Sequence, residues 1–145
     1  MRDKSILLVE DNADDEALTL RAFKINNITN SIAVVRDGAE ALDYFFGEGV
    51  HAGRDLTVMP TLVLLDLHLP KIDGLEVLRR LRADPRTKRV PVIILTTSHE
   101  QEEVFTAYEI GCNSYVRKPV ESRQFHEAVS HLGLFWLIHN VPPPA

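Results

Sequence analysis

The chain alternates short apolar runs with longer segments in which apolar residues recur at helical spacing. A short apolar run bounded by turn-forming residues is typical of a buried strand, whereas recurrence every three or four residues predicts an amphipathic helix. The apolar runs predict five strands, at residues 5–9, 31–35, 62–66, 91–96 and 114–119. The periodic segments predict five helices, at residues 13–27, 37–46, 73–84, 100–111 and 121–138. This alternation predicts an α/β fold, in which helices cover both faces of a parallel sheet.

The residues between these segments predict where the elements begin and end. Asp37 and Asp73 are each followed by glycine, a pair that can form a hairpin turn, but each pair opens a helical pattern here. We therefore predict helix starts, with Asp37 as an N-cap, and we expect Gly111 to end the fourth helix. Residues 47–60 contain glycines without a clear period and predict a long loop. We expect one domain over residues 1–145, with a core at about 5–137 and a proline-rich tail at 141–145.

Composition narrows the class of protein. A length of 145 residues, with 45% hydrophobic and 26% charged residues, is typical of one globular domain. The sequence has neither an apolar run long enough to span a bilayer nor the hydrophobic region of a signal peptide, so we expect a cytoplasmic protein without a membrane partner. A net charge of −5 without a long basic run argues against nucleic acid as a partner. The single cysteine, Cys112, cannot form an internal disulfide.

Polar residues stand at the carboxyl ends of four predicted strands. In parallel sheets these ends share one edge, where ligands bind. The residues that we expect at this edge are Glu10 and Asp11 after the first strand, Asp66 at the end of the third, Thr96 at the end of the fourth and Lys118 at the end of the fifth. Each of them alone could be a helix cap or a solvated loop residue. Five polar residues at the same ends of neighbouring strands favour a functional site.

The grouping of three acids, one hydroxyl and one cation predicts a particular chemistry. Clustered carboxylates repel one another and attract a hard cation, and all-oxygen ligation with few protein ligands suits Mg²⁺. A carboxylate beside such a metal can attack phosphorus. The metal and a lysine then neutralise the charge on the transferring phosphoryl group. The residues therefore predict phosphoryl transfer to Asp66.

The segments "LLVED", "LVLLDLHLP", "DGLEVL", "PVIILTT" and "SYVRKP" occur in this order and resemble the signature segments of the receiver domain of bacterial two-component response regulators. The resemblance implies a flavodoxin-like receiver fold, a doubly wound five-stranded parallel sheet with strand order 2-1-3-4-5. It implies that Asp66 accepts a phosphoryl group from a phosphohistidine on a sensor histidine kinase. It also implies a phosphoprotein that signals through a changed surface and catalyses only its own phosphorylation and dephosphorylation.

The resemblance assigns roles to the other residues. It implies that Mg²⁺ is held by Asp11, Asp66 and the backbone carbonyl of His68, with Glu10 assisting. It places Thr96, Thr97, Tyr115 and Lys118 in phosphoryl binding and in the conformational switch. A cis peptide bond between Lys118 and Pro119 is a further expectation, since proline makes the cis form accessible.

Some residues depart from the family pattern or narrow it. Glu10 stands where many receivers have aspartate, and Thr97 stands where alanine is common. His68 and Ser98 occupy variable positions that the family uses to set the lifetime of the phosphorylated state. The long loop, the "PV" after Lys118 and the ending "FWLIHNVPPP" resemble single-domain response regulators that partner phytochrome-type kinases.

Two other functions remain open from the sequence. One is a phosphatase with an aspartate nucleophile, but that class usually carries a second aspartate two residues later, where this chain has His68. The other is a scaffold of receiver architecture that is not phosphorylated. The intact acids, Thr96 and Lys118 argue against a scaffold.

The last predicted helix indicates a homodimer. Five consecutive apolar residues cannot all face one side of a helix, because successive residues step about 100° around its axis. These residues are Leu134, Phe135, Trp136, Leu137 and Ile138. Some of them must be exposed, and clustered exposed apolar side chains are typical of an interaction site. We expect a symmetric contact through this helix and the adjacent fourth and fifth strands, although the chain end could instead fold back over it.

Overall fold

The computed structural model describes residues 4–118 and 122–141. Its strands are β1 (Ile6–Val9), β2 (Ile32–Val35), β3 (Leu62–Leu65), β4 (Val92–Thr96) and β5 (Ser114–Arg117). Its α-helices are α1 (Ala13–Ile25), α2 (Gly38–Phe46), α3 (Gly74–Ala83), α4 (Gln101–Ile110) and α5 (Ser122–Gly133). A short 3-10 turn spans Gly49–His51, and a π-helical segment spans Leu134–His139. The predicted alternation of strands and helices is confirmed.

The five strands form one parallel sheet with the order β2-β1-β3-β4-β5, which confirms the predicted doubly wound topology. Val9 at the end of β1 pairs with Val35 on one side and with Leu65 on the other. At the far side of the sheet, Thr96 pairs with Arg117. This register aligns the carboxyl ends of the strands, so the residues that follow them lie along one edge.

Alternate residues of the strands supply two apolar layers. Leu7 and Val9 of β1 face the layer that α2, α3 and α4 cover, whereas Ile6 and Leu8 face the layer that α1 and α5 cover. All four residues of β1 and all four of β3 are buried. Burial on both faces explains why these strands are continuous apolar runs rather than alternating ones.

The helix starts confirm the predicted caps. The side chain of Asp37 accepts a hydrogen bond from the backbone N–H of Glu40, and Asp73 accepts one from that of Glu76. Each carboxylate thereby satisfies an N–H group that has no partner within its helix. Gly111 follows α4 with a φ of 126°, a backbone conformation that favours glycine. The Asp-Gly pairs are therefore helix starts, and not hairpin turns.

The C-terminal region differs from the single predicted helix over residues 121–138. The α-helix ends at Gly133 and continues as the π-helical segment, in which the N–H of Asn140 donates to the carbonyl of Phe135 at 2.6 Å. The expected cis bond at Pro119 and the tail at 142–145 lie outside the described residues. Within the described ranges, none of the helices combines the length and the apolar character needed to cross a membrane.

Gly74 lets the first turn of α3 approach the end of β3 closely. A Cβ atom at this position would lie 2.3 Å from the backbone oxygen of Asp66 and 2.7 Å from the Cα of Leu67. The N–H of Gly74 also donates to the carbonyl of Leu67 at 2.7 Å. The glycine therefore fixes the position of the residue that carries the predicted nucleophile.

We expect Gly74→Ala to destabilise the fold by about 1–3 kcal/mol, because the added methyl group overpacks a contact with backbone. Arg79→Ala on the exposed face of the same helix is the control, and it should stay within about 0.5 kcal/mol of the wild type. Urea denaturation of both variants measures the free energy of unfolding. Equal stability of the two variants would contradict the proposed close approach.

Candidate functional site

The predicted polar residues meet at the carboxyl edge of the sheet. Glu10 and Asp11 follow β1 directly, Asp66 follows β3, and Lys118 follows β5. The backbone N–H of Lys118 donates to the carbonyl of Thr96 at 2.7 Å, which joins the ends of β4 and β5. The strand pairing thus delivers five predicted residues to one edge.

The side chain of Lys118 is the centre of this edge. Its Nζ atom lies 2.5 Å from a carboxylate oxygen of Glu10, 3.0 Å from one of Asp15 and 3.2 Å from one of Asp66. The side chain of Lys118 is 4% exposed and that of Glu10 is 2% exposed. One buried ammonium group therefore bridges three carboxylates that belong to three separate elements.

Glu10, Asp11 and Asp66 form a candidate metal centre. Each offers a carboxylate oxygen, and the three oxygens lie within 4.8 Å of one another. Glu10 is buried, Asp66 is half-buried and Asp11 is exposed, so the cluster opens to solvent on the side of Asp11. An all-oxygen donor set with an open side suits a hard cation that keeps part of its water shell. The donor chemistry therefore fits a divalent cation.

The buried part of the cluster shifts the pKa values of its members. Burial raises the pKa of Glu10 to about 7, although its hydrogen bond to Lys118 opposes this change. Burial by itself would lower the pKa of Lys118, but the hydrogen bond to Glu10 and the charge of Asp66 outweigh it and raise the pKa. Lys118 is therefore held in the charged form that neutralises the surrounding acids.

The two threonines at the end of β4 differ in their surroundings. Thr96 is completely buried, and its hydroxyl oxygen accepts a hydrogen bond from the backbone N–H of Ser98 at 3.4 Å. Thr97 is exposed. Thr96, the last residue of β4, is thus linked by hydrogen bonds to Ser98 in the following loop and to Lys118 after β5.

Tyr115 lies on β5, two residues before the end of that strand. Its side chain packs against the apolar layer that α3 and α4 cover. Its hydroxyl oxygen is buried, and within the described ranges no other group forms a hydrogen bond with it. Burial raises the pKa of Tyr115, while nearby Ser98 opposes the change and Glu103 adds to it. The predicted switch residue therefore lies beside the loop that follows Thr96.

His68 contributes a backbone contact and an exposed side chain. Its backbone N–H donates to the carboxylate of Asp66 at 3.4 Å. Its imidazole reaches Glu103 on α4, and Ser98 contacts the same carboxylate. His68 and Ser98, the two variable positions near Asp66, therefore both contact Glu103.

The sequence reasoning did not identify Asp15 as a member of the site. Asp15 lies among the acids in the first turn of α1, and its carboxylate is within hydrogen-bond distance of Lys118. The available signal was its place in the first turn of the helix that directly follows Glu10 and Asp11. Only the fold shows that Asp15 points toward β5.

The predicted dimer residues divide between core and surface. The side chain of Leu137 is buried, Trp136 is half-buried, and Phe135 and Ile138 are 50% and 66% exposed. The rings of Phe135 and Trp136 pack edge to face at a centroid distance of 5.1 Å. The side chain of Leu134 lies outside the described part of the structure. The expected exposed apolar group thus exists, with Phe135 and Ile138 as its main members.

Comparison with known proteins agrees with this geometry. Residues 6–130 match the family described as "Response regulator receiver domain". Response regulator Rcp1 of Synechocystis sp. is 37% identical over 134 residues, which are 92% of this chain and 89% of Rcp1. The structure of the phosphorylated cyanobacterial phytochrome response regulator RcpA is 38% identical, with a TM-score of 0.90 over 99% of this chain and 100% of RcpA. The Mn²⁺-bound form of Rcp1 is 36% identical, with a TM-score of 0.88 over 97% of this chain and 99% of that structure.

We expect Lys118→Met to destabilise the fold by about 3 kcal/mol, because the substitution leaves Glu10, Asp15 and Asp66 close together without their shared cation. Added Mg²⁺ should restore part of the loss by neutralising the same acids. Lys88→Met is the matched control, since Lys88 is exposed and forms no ion pair within the described ranges. Urea denaturation with and without Mg²⁺ measures both effects. A Lys118→Met protein as stable as the control variant would contradict the bridging role of Lys118.

Proposed function

Because the chain belongs to the response regulator receiver domain family, we propose that Asp66 is its phosphoacceptor and that a sensor histidine kinase is the donor. The chain is a receiver-domain response regulator. The observation that supports Asp66 as the phosphoacceptor is its carboxylate, half-buried at the strand edge within reach of Lys118 and of the Glu10–Asp11 pair. The protein then catalyses only its own phosphorylation and dephosphorylation.

We propose Mg²⁺ as the divalent cation. Carboxylates of Glu10, Asp11 and Asp66 would hold it, together with the backbone carbonyl of His68. The oxygen donor set supports this choice, and Rcp1 has been solved in a Mn²⁺-bound form. When bound, the cation supplies positive charge beside the phosphoryl group and offsets the repulsion between the acids.

The transfer itself uses few protein groups. A carboxylate oxygen of Asp66 forms a bond to phosphorus while the bond from phosphorus to the kinase histidine breaks, and the imidazole nitrogen takes the bonding electron pair. Lys118 then pairs with the phosphoryl oxygens, for which it is already held in its charged form. The hydroxyl of Thr96 donates a hydrogen bond to the same group, and exposed Thr97 borders its entrance.

The change in charge provides the signal. Phosphorylation replaces the single negative charge of Asp66 with a group that carries about −1.5 to −2 charges. Lys118 and Thr96 are joined through their backbone, so their reorientation toward the phosphoryl group acts on β4 and β5 together. Tyr115, whose buried hydroxyl lies near Ser98, is the residue through which we expect this rearrangement to reach the surface.

The partner kinase is proposed to be of the phytochrome type, and the setting is proposed to be the cytoplasm. Similarity to the phytochrome response regulator RcpA over nearly the whole of both chains supports the choice of kinase. We also propose that residues 1–145 form a single receiver domain with its core at about 5–137, which is supported by the family match over residues 6–130.

We further propose a homodimer through the C-terminal surface, which consists of Phe135, Ile138 and the adjoining edge of β5. β5 is one of the two outer strands of the sheet, and among the described residues one of its edges pairs with no other strand. A groove runs between β5 and α5, and its lining includes Val116, Leu132 and Phe135. An exposed apolar group beside an open strand edge favours association between copies.

Asp66→Asn should abolish phosphorylation, because an amide is a poor nucleophile and removes one charge from the metal centre. The test is incubation with acetyl phosphate and Mg²⁺, followed by intact mass measurement. Asp14→Asn is the control, since Asp14 is an exposed carboxylate at the start of α1. The control should gain one phosphoryl group as the wild type does.

The same assay separates the other candidate functions. A phosphatase would consume acetyl phosphate continuously without retaining the phosphoryl group, and a scaffold would show neither retention nor turnover. An Asp66→Asn protein that gains the phosphoryl group at the wild-type rate would contradict the assignment of Asp66.

We expect the substitution of both Phe135 and Ile138 by serine to convert a dimer into a monomer. The side chains are exposed in the single chain, so their replacement removes contact area between copies with little effect on the fold. Sedimentation equilibrium measures the mass of the particle. Val50→Ser is the control, because Val50 is 83% exposed but lies in the 3-10 turn after α2, away from the C-terminal surface. A wild type that stays monomeric at high concentration, with and without phosphorylation, would contradict the dimer.

A further inference from the structure

The carboxylate of Glu103 on α4 contacts both the loop that follows β3 and the loop that follows β4. The imidazole Nε2 of His68 lies 3.3 Å from Oε1 of Glu103, and the hydroxyl of Ser98 donates a hydrogen bond to the same oxygen. The side chain of Glu103 is only 17% exposed, whereas the neighbouring Glu102 is exposed. Glu103 is therefore distinguished from the other acids of its helix by two contacts outside that helix.

Both residues that contact Glu103 also form backbone hydrogen bonds at the proposed phosphorylation site. The backbone N–H of His68 donates to the carboxylate of Asp66, and that of Ser98 donates to the hydroxyl oxygen of Thr96, each at 3.4 Å. His68 follows Asp66 by two residues, and Ser98 follows Thr96 by two. A movement of Asp66 or Thr96 therefore displaces a residue two positions later, and the side chain of that residue contacts Glu103.

The helix that carries Glu103 has few other attachments. α4 has no side-chain hydrogen bond at its N-cap and fully buries only Ala107. In contrast, the side chains of Asn12, Asp37 and Asp73 cap α1, α2 and α3. Ser98 partly replaces the missing cap, since its hydroxyl oxygen also accepts from the N–H of Glu100 at 3.3 Å. The first turn of α4 thus depends on Ser98 and Glu103 for its position.

We propose that Glu103 is a positioning residue, which holds His68 and Ser98 beside unphosphorylated Asp66 and releases them when Asp66 is phosphorylated. The inference rests on the proposed function, because the competing acceptor is the phosphoryl group on Asp66. Phosphoryl oxygens are strong hydrogen-bond acceptors, and they compete with Glu103 for the hydroxyl of Ser98 and for the imidazole N–H of His68. The added negative charge also repels Glu103. The start of α4 then loses both attachments and moves away from the site.

Hydrogen–deuterium exchange of the unphosphorylated protein tests the holding contact. We expect Glu103→Ala to raise exchange in the first turns of α4 by about five- to tenfold, the effect of losing one hydrogen bond from Ser98 and one charged contact with His68. Glu102→Ala is the matched control, since it removes the same charge and adds the same helix-favouring residue without touching either loop. Glu103→Gln should stay close to the wild type, because its amide oxygen still accepts the hydrogen bond from Ser98 and keeps its place beside His68.

The inference would be overturned if Glu103→Ala exchanged no faster than Glu102→Ala, or if Glu103→Gln were as open as Glu103→Ala. Because this comparison needs no phosphorylation, it decides the holding contact even if Asp66 is not a phosphoacceptor.

Phosphorylated protein tests the release. After acetyl phosphate and Mg²⁺ treatment, intact mass first establishes whether the wild type carries a phosphoryl group. We expect exchange in α4 of the phosphorylated wild type to rise to the level of unphosphorylated Glu103→Ala, and phosphorylation of that variant to add less than about a twofold further change. Unchanged exchange in α4 of a fully phosphorylated wild type would overturn the release. A wild type that gains no phosphoryl group would overturn both the release and the proposed function.

Discussion

The interaction on which the site depends is the contact of one buried lysine with three carboxylates. Lys118 lies within hydrogen-bond distance of Glu10, Asp15 and Asp66, which lie after β1, in α1 and after β3. Without a cation between them the acids would repel one another, which would separate the ends of β1, β3 and α1. The lysine therefore allows a concentration of negative charge that can also attract a divalent metal. The same atoms serve the stability of the unmodified protein and the chemistry proposed for Asp66.

Much of this arrangement could be predicted from the sequence, because the parallel strands impose it. Apolar runs without alternation predict strands buried on both faces, and parallel strands bring their carboxyl ends to a common edge. Glu10, Asp66 and Lys118 could be placed together on this argument, and the structure confirms their proximity. Asp15 could not, since helical spacing gives its face on α1 but not the direction in which that helix packs.

Two further features depended on contacts that local patterns do not contain. The contact from Glu103 to His68 and Ser98 joins residues from three elements, and the sequence shows only an acidic start of a helix. The change from α-helix to π-helix after Gly133 was also missed, since an apolar run with no clear period does not distinguish the two forms.

The proposed signal leaves the site by two routes. One passes through Thr96 and Lys118 to β5, which carries Tyr115 and borders the C-terminal surface. The other passes through His68 and Ser98 to Glu103 and α4, which exposes Phe105 and Tyr108. The N–H of Tyr115 donates to the hydroxyl of Tyr108, so the two routes meet between β5 and α4.

Both routes require that Asp66 carries the phosphoryl group. Borohydride reduction after treatment with acetyl phosphate tests this claim most directly, because it converts a phosphorylated aspartate into homoserine, which tandem mass spectrometry locates in a digest. We expect homoserine at position 66 alone, and only when Mg²⁺ is present. Homoserine at another carboxylate, or at position 66 in the presence of a chelator, would contradict the account.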